Sequence, residues 1–238
     1  MGKNNWAKIN FFLNIVKQCL QGYNGTLFAY GQTASGKSHT MMGDDNEPGL
    51  MLLAADEIFD GFIDRPDCAF LVRLSYLEIY NEEIKDLLEP DSVEKLKIYD
   101  HPTQGPYVKG ATEKVVHNVE EFMEVIKSGE LNRHVGHTKM NAESSRSHSI
   151  LRLVIESRKI FKEGDAVEES LVNEEGFEKN VSQSITGKSS AEDEKIIQKF
   201  LRISGGSIAM SVLNLIDLAG SERASRTGNN NGTHMEHT

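Results

Sequence analysis

The stretch that decides the fold lies between residues 31 and 38 and reads Gly31-Gln32-Thr33-Ala34-Ser35-Gly36-Lys37-Ser38. It fits the pattern G-x-x-x-x-G-K-[ST], in which glycines allow consecutive backbone N–H groups to point at phosphate oxygens. In this pattern the Lys37 ammonium reaches the β- and γ-phosphates of a nucleotide, and the Ser38 hydroxyl binds Mg²⁺. The structural alternative is a Gly/Ser surface turn. We call residues 31–38 the phosphate loop.

An apolar run precedes the phosphate loop and favours the nucleotide-binding interpretation. Residues 27–30, Leu-Phe-Ala-Tyr, predict a short buried strand that enters the loop. Hydrophobic spacing predicts helices at 9–20, 52–62 and 119–131, strands at 70–80, 96–99, 107–116, 149–157 and 211–218, and a short helical turn at 82–88. These elements predict an α/β domain of the P-loop NTPase class, with a mixed, largely parallel central sheet and helices on both faces.

Composition limits the partners that the chain can have. The 238 residues carry a net charge of −10, which argues against nucleic acid as the main partner and means that binding to an acidic surface needs a local basic patch. No apolar run approaches the roughly 20 residues of a membrane span, and Asn4, Asn5 and Lys8 interrupt any signal-peptide core. Cys19 and Cys68 form no disulfide framework and no metal-ligand spacing, which favours a reducing compartment.

Residues 162–206 differ in character from the segments on either side. They contain ten acidic and six basic residues and are rich in Glu, Ser, Gly and Asn. This composition predicts a long, mostly disordered acidic insertion between two strands, with one helix at 192–201. A tolerated surface insertion is the structural interpretation, and a partner-binding loop is the functional alternative.

Hydrolysis at a phosphate loop requires two more parts, an acidic group at a strand end and a segment that senses the γ-phosphate. Asp217 follows the apolar run 212–216, and Gly220 could offer a backbone N–H to the γ-phosphate. An aspartate at a strand end is also a common turn or cap residue. Residues 141–148, Asn-Ala-Glu-Ser-Ser-Arg-Ser-His, form a hydroxyl-rich segment before a strand, where serine oxygens can bind Mg²⁺. By composition alone this segment is also consistent with a plain loop.

Taken together, residues 31–41, 141–148 and 217–223 resemble the corresponding segments of the kinesin motor domain, in the same order and at similar spacing. The stretches 22–25, 77–83 and 138–141 also match the family pattern, so the resemblance covers about 9–161 and 207–228. Ala34, Met41-Met42-Gly43 and residues 133–141 are most similar to the centromere-associated mitotic subfamily. In the terms of this family, 141–148 is the switch I segment and 217–223 is the switch II segment.

The resemblance implies roles for individual residues. The nucleotide-binding set consists of Gly31, Gln32, Thr33, Ala34, Ser35, Gly36, Lys37, Ser38 and His39, the last near the α-phosphate. The catalytic set consists of Ser144, Ser145, Arg146, Asp217, Gly220 and Glu222. Ser38 and Ser145 are implied to bind Mg²⁺ directly, and Asp217 through water. Arg146 and Glu222 resemble the pair whose salt bridge closes the site and positions the attacking water.

The resemblance also implies ATP and Mg²⁺ as cofactors, microtubules (tubulin) as partner, and ATP hydrolysis coupled to movement along microtubules. The expected location is the cytoplasm and the microtubule cytoskeleton, with the spindle or the kinetochore as the finer expectation. No nucleic acid and no membrane is expected as a partner.

Both ends of the chain depart from the family pattern. Nothing before Ile9 resembles the first strand of the family, and residues 229–238 form an unrelated polar tail. We therefore expect a motor domain over residues 1–238 that is truncated at both ends, with the dimerising coiled coil also absent. The alternative function is a truncated non-motor relative that binds nucleotide or tubulin without productive cycling. A GTPase-like switch ranks lower because the chain contains no Asn-Lys-x-Asp segment.

Overall fold

A central sheet with helices on both faces forms the fold. The computed structural model describes residues 3–44, 46–92, 94–101, 105–138, 145–160, 187–203 and 205–222. The helices in these residues are α1 (Lys3–Leu20), α2 (Lys37–Met42), α3 (Leu50–Ile63), α4 (Val119–Thr138) and α5 (Ala191–Leu201). The strands are β1 (Gly25–Ala29), β2 (Cys68–Tyr80), β3 (Glu83–Asp86), β4 (Lys97–His101), β5 (Gly105–Lys109), β6 (Lys114–Val116), β7 (His148–Ile160) and β8 (Gly205–Asp217). None of the helices in the described ranges is long and apolar enough to cross a membrane.

The strands of the main sheet lie in the order β1-β8-β7-β2-β3, with β6 also paired to β2, and β4 and β5 form a separate hairpin. The predicted mixed sheet is therefore confirmed. Parallel pairing is less frequent than predicted, because β1 and β8 are parallel whereas the other pairings of the main sheet, in the described part of the chain, are antiparallel. A connection that contains a helix can join antiparallel as well as parallel strands. The connection between β7 and β8, which contains α5, returns to the sheet at the end where β7 finishes, so the two strands are antiparallel.

The register of the sheet brings three loop segments together at one edge. Ala29, the last residue of β1, pairs with Asp217, the last residue of β8. Asp217 pairs in turn with Ser149, near the start of β7. The carboxyl ends of two strands and the amino end of a third are therefore neighbours, and the segments attached to them share this edge.

The larger core lies between α1, α3 and α4 and one face of the sheet. Val16, Ile58 and Phe122 come from the three helices and are fully buried against Leu74 and Leu153 of the strands. Each such side chain contributes about 1.5–3 kcal/mol when it leaves water. Periodic spacing in the sequence predicted these helices correctly because one face of each is buried.

The opposite face of the sheet carries α5 and a smaller core. Leu71 of β2 points away from Leu74, since side chains three positions apart on a strand lie on opposite faces. It is buried with Ile197 and Phe200 of α5. The Ser190 hydroxyl caps this helix by accepting the Asp193 N–H at 3.1 Å. The helix predicted at 192–201 and the helices on both faces are therefore confirmed, whereas residues 161–186 lie outside the described part.

A buried ionic cluster also lies on this second face. The Arg73 guanidinium of β2 is completely buried and donates to the Glu156 carboxylate of β7 from Nε at 3.2 Å and from Nη2 at 3.1 Å. It also donates from Nη1 to Glu113, which immediately precedes β6. The cluster joins three adjacent parts of the sheet through charged hydrogen bonds.

Three local predictions were wrong. The strand predicted at 107–116 is divided between β5 and β6, which belong to different sheets. Residues 82–88 were expected to form a helical turn, but Glu83–Asp86 form β3, because Asn81 and Glu82 adopt φ angles of 48° and 63°. Positive φ at both central residues gives the two-residue hairpin turn that returns the chain along β2. The strand before the phosphate loop is half exposed rather than buried: Phe28 is 62% exposed, and β1 is an edge strand that pairs with β8 alone among the described strands.

Candidate nucleotide-binding site

The phosphate loop lies between β1, which ends at Ala29, and α2, which begins at Lys37. Gly36 has a φ of +87°, a left-handed conformation that glycine adopts without steric cost. This conformation turns the chain into α2, where the Thr40 N–H donates to the Gly36 carbonyl at 2.8 Å. The strand, loop and helix therefore follow one another in the order that the motif requires.

Lys37 and His39, both of the predicted nucleotide-binding set, have protein partners at this loop. The Lys37 ammonium donates to the Gln32 carbonyl at 2.9 Å and so lies back over the loop. The His39 ring lies 3.1 Å from the Asp44 carboxylate. Two backbone N–H groups of the following turn, and then the His39 contact, hold the pKa of Asp44 below its ordinary value.

The end of β8 places a carboxylate next to the phosphate loop. Asp217 is 4% exposed, and its Oδ2 accepts a hydrogen bond from Ser38 Oγ at 2.5 Å. Its Oδ1 is buried and has no hydrogen-bond partner among the described residues. A buried carboxylate oxygen without a partner is unusual and calls for a water or a cation. The structure thus brings together two of the residues predicted to bind Mg²⁺.

Beyond Asp217, the switch II segment runs along the phosphate loop. The Leu218 N–H donates to the Ala29 carbonyl at 3.2 Å, and the Ser221 N–H donates to the Gly31 carbonyl at 3.0 Å. Backbone hydrogen bonds at Leu218 and Ser221 therefore hold the segment against the chain that enters the phosphate loop.

Two hydrogen bonds join described residues of the switch I segment to the switch II segment. The Gly220 N–H donates to the Ser145 carbonyl at 2.7 Å. The Ala219 N–H donates to Nδ1 of His148 at 3.1 Å. The structure therefore brings together Ser145 and Gly220, two residues of the predicted catalytic set, and adds His148. Sequence reasoning assigned no role to His148, although its position at the first residue of a strand after a hydroxyl-rich loop was the available signal.

The Glu222 carboxylate lies on the phosphate loop. Its Oε2 accepts the Thr33 N–H at 2.9 Å, and its Oε1 accepts the Thr33 hydroxyl. These two donors hold the pKa of Glu222 below its ordinary value. Gly220 leaves room for this contact, since a Cβ on Gly220 would lie 2.6 Å from Thr33 Oγ1.

The salt bridge predicted between Arg146 and Glu222 is not formed. Arg146 is exposed, and the Glu222 carboxylate is bonded to Thr33 instead. The two residues lie on segments that are hydrogen-bonded to each other, but they do not meet in the described structure. Ser144, the other predicted switch I residue, lies outside the described residues.

A phosphate loop between a strand and a helix, with an aspartate of the adjacent strand bonded to the last residue of the loop, defines a P-loop nucleotide-binding protein. The comparisons with known proteins give the family. The sequence matches the kinesin motor domain over residues 5–238. The chain therefore belongs to the kinesin motor domain family.

Individual relatives agree with this assignment. Kinesin-like protein KIN-7I of Oryza sativa subsp. japonica is 43% identical over 215 residues, which are 90% of this chain and 15% of the relative. Centromere-associated protein E of Homo sapiens is 41% identical over 90% of this chain and 7% of its own length, which confirms the resemblance to that subfamily. A solved structure described as that of a fast kinesin matches with a TM-score of 0.67 and 34% identity, covering 92% of this chain and 51% of that chain. The predicted P-loop NTPase fold is thereby confirmed.

Proposed function

We propose that the chain binds Mg-ATP at the phosphate loop, hydrolyses it, and couples hydrolysis to microtubule binding and movement. The observation that carries the proposal is the 2.5 Å hydrogen bond between Ser38 and Asp217, which joins the phosphate loop to the end of the adjacent strand. Membership in the kinesin motor domain family supports the same conclusion. Nothing in the comparisons favours the alternative of a relative that does not cycle.

The proposed nucleotide-binding set is the phosphate loop together with His39, with the Lys37 ammonium released from the Gln32 carbonyl to contact the β- and γ-phosphates. The oxygen donors of Ser38 and Asp217 suit Mg²⁺, which prefers hard oxygen ligands and retains water. The buried, unpartnered Oδ1 of Asp217 supports this fit, because a metal-bound water would satisfy it. Ser145 would supply a further hydroxyl. When bound, Mg²⁺ neutralises negative charge on the phosphate oxygens.

The proposed catalytic set acts by positioning and by charge stabilisation, so that no general base is needed and water can relay the proton. Gly220 offers its N–H to the γ-phosphate after the bond to Ser145 is released. Arg146 and Glu222 form their salt bridge after Glu222 leaves Thr33, and the closed pair positions the attacking water. Ser144 acts beside Ser145 in the switch I segment.

The proposed partner, the microtubule, has an acidic surface, so a chain with net charge −10 requires a local basic patch to bind it. A surface pocket beside the β4–β5 hairpin supplies one, since four lysines line it: Lys95, Lys97, Lys109 and Lys188. Glu94 also lines this pocket, and it is paired to Lys188 at 2.6 Å. Positive charge concentrated in this way attracts an acidic surface despite the negative total.

We propose further that the protein acts on the microtubule cytoskeleton. The name of Centromere-associated protein E supports the spindle or the kinetochore as the finer location. We also propose that 9–161 and 207–228 form the motor core. Residues 162–206 are then an insertion into that core, and α5 packs this insertion against β2 and β6.

The test is Mg-ATP turnover by the purified chain, with and without microtubules, beside two variants. Lys37→Ala removes the ammonium proposed to contact the phosphates and should abolish turnover. Lys127→Ala removes an exposed lysine of α4 and should leave turnover unchanged. Turnover that rises with microtubules and disappears only in Lys37→Ala supports the proposal. A folded wild-type chain that binds no nucleotide contradicts it.

The microtubule contact is tested separately by co-sedimentation in ADP. The double variant Lys97→Ala/Lys109→Ala should weaken binding several-fold at low salt, and the difference should shrink at high salt because exposed charges are screened. Lys127→Ala is again the matched control. Equal binding by the double variant and the control would show that the pocket is not the contact surface.

A further inference from the structure

The histidine that begins β7 contacts the switch II segment through its ring. Nδ1 of His148 accepts the Ala219 N–H at 3.1 Å, and the next N–H, that of Gly220, donates to the Ser145 carbonyl. The N–H groups of Ala219 and Gly220, which are consecutive, thus both donate to the last four residues of the switch I segment, 145–148. A loop segment held at two consecutive amides has little freedom to rotate either peptide.

His148 itself is held by the sheet. It is paired with Ile79 of β2, and its neighbour Ser149 is paired with Asp217 of β8. Ser147, on its other side, is 1% exposed, and its hydroxyl accepts a hydrogen bond from Arg133 Nη2 of α4 at 3.4 Å. The backbone of His148 is therefore held in place, and its ring reaches the Ala219 N–H from this fixed position.

The acceptor atom also defines the tautomer of the neutral ring. Ala219 has only an N–H to donate, so Nδ1 must carry the lone pair and, in the neutral ring, Nε2 carries the proton. An asparagine can replace this acceptor, because its Oδ1 is the same number of bonds from Cβ as Nδ1. A glutamine cannot, because its amide corresponds to Nε2.

We propose that His148 is a positioning residue of the nucleotide site: its Nδ1 fixes the Ala219 peptide and thereby sets the direction of the Gly220 N–H. The Gly220 amide follows Ala219 directly, so a rotation of the preceding peptide redirects it. The part of this inference that concerns turnover rests on the proposed ATPase function. The part that concerns the Ala219 amide does not depend on it.

The first experiment measures amide hydrogen exchange of Ala219 in the wild type, His148→Asn and His148→Gln. Loss of one hydrogen bond should accelerate exchange of this amide about two- to tenfold in His148→Gln. His148→Asn should recover most of the protection. Unchanged exchange in His148→Gln, or equal loss in both variants, overturns the proposal. Nitrogen NMR of the wild-type ring provides a check without mutation, since a proton on Nδ1 would also refute it.

The second experiment separates the proposal from the ATPase function. We expect His148→Gln to lower kcat about two- to tenfold while the affinity for ADP stays at the wild-type value, because Gly220 is proposed to act on the γ-phosphate, which ADP lacks. A general structural defect would weaken ADP binding as well and would contradict a positioning role. A wild-type chain without turnover contradicts the proposed function, and the exchange experiment then decides the role of His148 alone.

Discussion

The replacement Phe200→Ala tests whether α5 is a docked part of the domain. Phe200 is 4% exposed and lies with Ile197 (1%) and Leu71 (3%) in the smaller core. A buried Phe→Ala change usually costs about 3–5 kcal/mol. Since this cluster is small and its half-buried neighbours can relax, we expect the lower value, about 3 kcal/mol. That corresponds to a roughly 100-fold change in the ratio of docked to undocked helix.

The effect should be local, because the larger core of α1, α3 and α4 lies on the other face of the sheet. The assay is hydrogen exchange across residues 187–203 and across α3, in parallel, with thermal unfolding of the whole chain. The matched control is Gln198→Ala, which replaces an exposed residue of the same helix. We expect amides of α5 in Phe200→Ala to exchange roughly 100-fold faster, with those of α3 unchanged.

Two results would refute this reasoning. If exchange in α5 accelerates less than about threefold, Phe200 does not hold the helix on the sheet. If α3 loosens as much as α5, the two cores unfold as one unit, and the insertion is part of the main cooperative structure.

Two further predictions follow from contacts described above, and a third from the burial of Cys19, which is 2% exposed. Thr33→Val removes the hydroxyl that donates to Glu222 and lowers its pKa, so the pKa of Glu222 should rise, as an NMR titration would measure. In the wild type, this contact stabilises the folded state above the ordinary carboxyl pKa, and the stabilisation is lost as the pH falls through the lowered pKa of Glu222. Arg73→Met leaves two carboxylates in the interior and should cost about 3–5 kcal/mol in urea unfolding, whereas Arg202→Met, at an exposed site, should cost little. Burial raises the pKa of Cys19 to about 11, so its thiol should react with iodoacetamide in urea and hardly at all in the native protein at pH 8.

The sequence predicted those parts of the site that are defined by local spacing. The phosphate loop is one, because glycines and a lysine at fixed intervals determine how a short backbone segment turns. Asp217 is another, since a carboxylate after an apolar run must lie at a strand end. The helix at 192–201 was also predicted correctly, because Ile197 and Phe200 lie on one side of it.

Contacts between distant segments could not be predicted in this way. The partner of Glu222 is Thr33, which is separated from it by 189 positions, and the choice of Thr33 over Arg146 depends on how the two segments lie in space. The direction of strand pairing is a similar case, since it depends on which end of the sheet each connection returns to. The hairpin turn at Asn81 and Glu82 was missed because glutamate rarely adopts positive φ.

The buried guanidinium of Arg73 has a consequence for how the strands find their alignment. Neighbouring side chains on β2 point to opposite faces, so a slip of one residue would move Arg73 from its two carboxylates into the apolar layer beneath α1, α3 and α4. An unpaired charge there costs several kcal/mol, far more than the loss of one strand hydrogen bond. The cluster therefore adds little net attraction to the correct pairing. It acts instead by raising the free energy of every arrangement in which β2 is shifted by an odd number of residues against its neighbours.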